Sequence, residues 1–279
     1  MRSSTDQADA PARPGRPRFT RKRSGPLRFL APLLAVLVLL VLITESLALG
    51  SRTLSPEEVW QGFLVYDNSV ASKVVWGLRI HRTILAIVVG ASLAVAGVVM
   101  QALTRNPLAE PGILGVNAGA SLAVVAAIGG LGLTSVNQYL PFAFAGAAAA
   151  AVLVHAMSRR SADAGPARLV LAGVALGASL SSITGTITMY NSKAFDSYRF
   201  WVVGSLENRK LEVLLWVAPF LAVGLVLALA SAHSLNALAL GDEQATALGV
   251  NLAVVRGGAF LALTLLCGAA TAAVGPISF

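Results

Sequence analysis

Apolar residues fall into runs of about twenty along this chain, parted by short stretches rich in Gly, Pro, Arg and Ser. About twenty helical residues, at roughly 1.5 Å each, cross a bilayer core of roughly 30 Å. The pattern therefore predicts spans at 27–49, 84–103, 112–131, 139–157, 169–189, 211–232 and 252–273. The run 84–103 is preceded by Arg79 and Arg82 and ends at Thr104-Arg105-Asn106-Pro107. Proline and the residue before it disfavour helix there. Gly90, Ala94 and Gly97 recur at near-helical spacing in that run, which suits tight helix contact inside a bundle.

The polar stretches predict smaller elements. Ser55-Pro56-Glu57-Glu58 reads as a helix start, with a serine cap, proline in the first turn and acids at the positive end. A short amphipathic helix to about Tyr66 follows, on the outer surface. Residues 191–210 form an outer connection in which Tyr198 and Trp201 suit a short helix at the interface. In 234–251, Ser234 can cap one short helix and Asp242 another that ends at Gly249, with Gly241 permitting a sharp turn between them.

Composition sharpens this picture. Hydrophobic residues make up 56% of the 279 and charged ones 12%, outside the range of ordinary soluble domains. The net charge of +8 does not indicate nucleic acid, because eight of the twenty-one Lys and Arg precede Phe29. Residues 1–26 read as a disordered basic cytoplasmic tail ahead of a transmembrane region, 27–279. A cleaved signal peptide is the rival for 27–49, with Ser46 and Ala48 small enough to precede a cleavage site; the length of the run favours a retained anchor. The tail and the predicted inner loops hold thirteen Lys and Arg against eight outside, so the N-terminus is expected in the cytoplasm.

Little here can do covalent chemistry. The single cysteine, Cys267, excludes an intramolecular disulfide framework or a cysteine metal cluster. Gly-Ala-Ser-Leu occurs at Gly90, Gly119 and Gly177, but none has a glycine two residues after the serine, so helix packing is the better reading than an intramembrane serine protease. No phosphate loop is present, and nothing calls for a cofactor. Secondary transport of a small molecule is the alternative function. It usually places an ionisable residue at midplane, whereas the cores of spans two to seven carry no Asp, Glu, Lys or Arg. Energy is then expected from a partner ATPase.

Leu78-Arg79-x-x-Arg82, then Gly-Ala-x-Leu-Ala-x-Ala-Gly from Gly90, Gln101, and Arg-Asn-Pro-Leu-Ala-Glu-Pro-Gly-x-Leu-Gly from Arg105 resemble the FecCD family. These are permease subunits of ATP-driven importers of ferric siderophores, haem and cobalamin. The resemblance covers the chain after about residue 50, with His81 where the family usually has proline. It implies an all-α polytopic membrane protein of ten spans with both ends inside. Seven spans are complete here, and members continue beyond Gly-Pro-Ile-x-Phe, so the chain is expected to be truncated at its C-terminus.

The same resemblance implies roles. Arg79 and Arg82, otherwise headgroup anchors, would receive acidic residues of an extracytoplasmic substrate-binding protein. Asn106, Pro107 and Leu108 would form a cytoplasmic gate near the axis of a permease homodimer or heterodimer. Gly241, Asp242, Glu243, Ala245, Leu248 and Gly249 lie in a coupling segment that would sit in a groove of each of two ATPase subunits, with Ala245, Leu248 and Gly249 as the docking surface. The expected cargo is a ferric siderophore, with haem and cobalamin as alternatives.

Overall fold

The computed structural model describes residues 27–50, 54–133, 135–159, 166–207, 209 and 211–277. The predicted tail 1–26 and part of the loop 158–168 lie outside them. The regular elements among these residues are all helical. The chain divides into two units, 1–45 and 46–279. What is described of the first is most of α1, Leu27–Ala48, whose residues 29–44 carry no ionisable side chain.

The second unit continues with α2 (Pro56–Leu64), α3 (Val70–Val74), a π-helical turn (Val75–Arg79) and α4 (Ile80–Thr104). A 3-10 turn (Pro111–Leu114) leads into α5 (Val116–Leu131), α6 (Val136–Arg159) and α7 (Pro166–Tyr190). Then come α8 (Ser192–Val203), α9 (Leu211–Leu238), α10 (Asp242–Ala247) and α11 (Leu252–Val274). Among the described residues, six helical stretches are long and apolar enough to cross a membrane: Leu30–Ala48, Val70–Thr104, Val136–Ser158, Ala167–Tyr190, Leu211–Leu238 and Leu252–Val274.

The stretch predicted as the third span is built differently. Gly115 takes a left-handed φ of 72° and divides 112–131 into the 3-10 turn and the sixteen-residue α5. At about 1.5 Å per residue, α5 is about 24 Å long, short of a full crossing.

Local chemistry explains the other boundaries. Ser55 accepts from the Glu58 N–H, and the Glu58 carboxylate accepts from the Ser55 N–H at 2.7 Å, a reciprocal cap on α2. The helix expected to begin at Ser234 does not form separately. Leu235 and Leu238 extend the buried stripe of Val213, Val217, Leu221 and Ala228, so α9 runs on to Leu238. Helix α8 forms in the predicted connection but turns Trp201 into the core rather than toward an interface.

Small residues set the packing. A Cβ on Gly119 of α5 or Gly146 of α6 would lie 2.3 Å from the other's carbonyl oxygen, so these helices cross backbone to backbone. Helix α11 is the central element. It is buried almost continuously from Ala259 to Val274 and packs against α4, α5, α6 and α9.

Candidate translocation path and coupling site

The elbow after α4 begins with a left-handed residue, Arg105 (φ 52°). The Asn106 N–H closes the helix end by donating to the Gln101 carbonyl at 3.2 Å. The Asn106 side-chain oxygen then accepts from the Leu108 N–H at 2.9 Å, and its carbonyl from Ala109 N–H at 3.1 Å. This tight turn leaves Asn106 and Pro107 exposed and Leu108 87% exposed.

The chain then re-enters the bundle. Glu110 and Pro111 line a narrow crevice with Leu93, midway along α4, and with Cys267 and Thr271 of α11. Irregular backbone at that depth is tolerated only where protein buries it or water reaches it. Glu110 also faces an open cavity of about 610 Å³ between the elbow, α5, α7 and α8, whose other polar wall groups are Asn117, Ser121, Ser181 and Tyr198. Asn117 is held in place there, its side-chain oxygen accepting from the Thr271 hydroxyl at 2.9 Å. Most of the remaining lining is glycine, alanine or valine. In the sequence Glu110 is visible only as part of the motif from Arg105, with no role of its own. Gly115, a break inside the third predicted span, was the available signal that the preceding residues reach into the bundle.

The segment between α9 and α11 lies at the same end of α4 as the elbow. Gly241 (φ 118°, ψ 157°) makes the turn out of α9 in a conformation suited to glycine. At the other end of α10, N–H groups of Gly249 and Val250 donate to the carbonyls of Thr246 and Ala245, a capped helix end. Gly241, not Asp242, occupies the cap position, and it makes no side-chain cap bond.

Asp242 is instead an ion-pair acceptor. One carboxylate oxygen bonds Arg105, and the other takes Arg256 Nη2 at 2.6 Å. Burial opposes its ionisation, but the bonds and charges of Arg256 and Arg105 outweigh that and hold the carboxyl below its ordinary range. Arg105 Nε also donates to the Leu238 carbonyl at 2.8 Å. The predicted gate and coupling residues therefore meet through Arg105, a residue sequence reading left without a role. Ala245 is fully buried and Leu248 is 65% exposed. The outward surface of the segment thus consists of Ala239, Leu240, Glu243, Gln244, Thr246 to Gly249 and Asn251, while Ala245 packs inward.

Arg79 and Arg82 sit apart, at the opposite end of α4. Arg79 is only 3% exposed, and its Nη1 donates to the carbonyls of Leu47 and Ala48 at 2.6 and 2.7 Å. Arg82 Nη2 donates to Ser46 and Leu49 carbonyls at 2.6 and 3.0 Å, with Glu207 3.9 Å from Nη1. Two cations thus cover a helix C-terminus, where carbonyl dipoles carry partial negative charge. His81 does not break the helix; its Nδ1 lies 3.1 Å from the Gly77 carbonyl within it. Among the described residues no group of His, Cys, Asp and Glu could hold a metal ion.

A bundle of membrane-length helices with a re-entrant elbow, a small-residue cavity and a short exposed helix at one end suits a transport permease. The chain belongs to the FecCD transport family, whose model matches residues 37–279. It is 43% identical over 247 residues to the ferric enterobactin transport system permease protein FepD of Escherichia coli, covering 88% of this chain and 74% of that one. Identity is 38% to the Fe(3+)-citrate import system permease protein YfmD of Bacillus subtilis, with 92% and 77% covered. For the hemin transport system permease protein HmuU of Yersinia pestis it is 34%, with 88% and 73% covered. The fold matches an inward-facing metal-chelate type ABC transporter with a TM-score of 0.73 at 27% identity, over 90% of this chain and 77% of that one. The chain is thus a multi-pass inner-membrane protein of the ABC permease type.

Proposed function

We propose that this permease imports a ferric siderophore, driven by ATP hydrolysis on a separate partner chain. The observation that carries the coupling half of this reading is the exposed α10 segment. It projects Leu248 and Glu243 to the outside and is tied through Asp242 to the elbow that borders the cavity. Two ATPase subunits would take this segment from each of two permeases. The second permease, a copy or a homologue, would complete the cavity on its open side, with Asn106, Pro107 and Leu108 closing the path. The Lys and Arg distribution supports a cytoplasmic N-terminus, and α5 together with the 3-10 turn would form the seventh membrane element of a ten-span fold.

At the far end of α4, docking of a substrate-binding protein falls to Arg82, the more exposed arginine of the pair, with Arg79 bracing it from within. The choice of cargo is supported by the names of FepD and YfmD. It is tested by growth of a deletion strain on ferric siderophore as sole iron source. The reading requires impaired growth that the intact gene restores; growth equal to the parent's would exclude that cargo.

A further inference from the structure

Arg105 occupies a left-handed conformation (φ 52°) that a residue with a Cβ adopts at a cost and glycine adopts freely. The helix end it closes is made by main-chain groups alone, through the Asn106 N–H and the Gln101 carbonyl, and would form equally well around glycine. What arginine adds is its side chain. Its Nε reaches the last residue of α9, Leu238, at 2.8 Å, and its Nη2 bonds Asp242, the first residue of α10. Asp242 in turn holds Arg256, in the second turn of α11, at 2.6 Å. One carboxylate and two guanidinium groups therefore join four helix ends, α4, α9, α10 and α11.

These side chains are each about one-third to two-fifths exposed, and pairs so accessible to water add little to stability. Their geometry is nevertheless restrictive, since a planar guanidinium fixes direction as well as distance. The residue after Arg105 opens the elbow that ends at Glu110 on the cavity wall. A shift of α10 cannot leave the elbow behind while this node holds.

We propose that Arg105 and Arg256, gripping Asp242 from two sides, are positioning residues that carry displacement of α10 to the elbow. This rests on the reading of α10 as the ATPase contact. Arg105→Gly tests it, because it relaxes the backbone while removing the node. The assembled transporter is reconstituted in vesicles, and three quantities are read: melting temperature, crosslinking of Leu248→Cys to a cysteine in the ATPase groove, and cargo taken up per ATP hydrolysed.

Arg105→Gly should melt no lower than the parent and keep the crosslink, while uptake per ATP falls roughly 5–150-fold, the usual span of coupling between sites. In uptake per ATP, Arg105→Lys, which keeps the charge but not the fork, should fall between the two, and Asp242→Asn should match Arg105→Gly in that readout. Unchanged uptake per ATP in a crosslinked, folded Arg105→Gly transporter overturns the proposal. So does a loss of uptake that follows a lowered melting temperature, which would make the node a brace. Absence of the crosslink in the parent refutes the ATPase reading itself, and the two failures are thereby distinguished.

Discussion

Replacing Arg79 by Met should destabilise the protein measurably, which an outward-facing docking residue would not do. The change keeps an unbranched side chain of similar reach but removes the donors that bond the Leu47 and Ala48 carbonyls at 2.6 and 2.7 Å. A hydrogen bond to a charged group contributes about 1.5–3 kcal/mol, and a buried polar group left without a partner costs about 1–3 kcal/mol. Relief from burying a guanidinium offsets part of this, and both carbonyls belong to half-buried residues that water can partly reach. The net loss should be about 2 kcal/mol. At about 2–4 °C per kcal/mol for large single domains, melting should fall by about 4–8 °C. Thermal unfolding in detergent reads this directly, with Arg82→Met, on the more exposed partner, expected to shift melting less. Arg79→Met melting with the parent while losing association with the binding protein would refute the bracing role and return Arg79 to the docking surface.

Three further outcomes are expected. Gly146→Ala places a methyl 2.3 Å from the Gly119 carbonyl oxygen, so α5 and α6 must part at a cost of about 1–3 kcal/mol or more, seen as lower folded yield on size exclusion. Leu248→Asp puts a charge on an exposed apolar side chain of the coupling segment and should separate ATP hydrolysis from uptake; normal transport would contradict the contact. Because Asp242 is held below its ordinary value of 3.8, its stabilising effect is present above that pH and is lost only as pH falls through the lower folded value. The melting difference between the parent and Asp242→Asn should therefore stay constant from about pH 8 to 5 and narrow only below about pH 4.

Much of the bundle was legible because membrane burial writes itself as long apolar runs. The starts of α9 and α11 fall where the pattern placed them, and the motif around Asn106-Pro107 marked the family. What was not legible depends on tertiary partners. Asp242 looks like a helix cap when only its neighbours are known, since Arg105 and Arg256 lie 137 and 14 residues away. Ala245 and Leu248 read alike as docking residues until the turn of a six-residue helix sends one inward. Glu110 carries no role in the sequence alone because five residues of irregular chain, 105–109, conceal how far the elbow re-enters the bundle.

Cargo is expected to move by ATP hydrolysis on a partner and not by an ion gradient. Uptake of radiolabelled ferric siderophore into vesicles holding the permease and ATPase, with the binding protein outside, tests it most directly. Uptake should require ATP within reach of the α10 face and should persist when a proton ionophore collapses the gradient. Uptake without ATP that the ionophore abolishes would contradict the account and identify a secondary transporter.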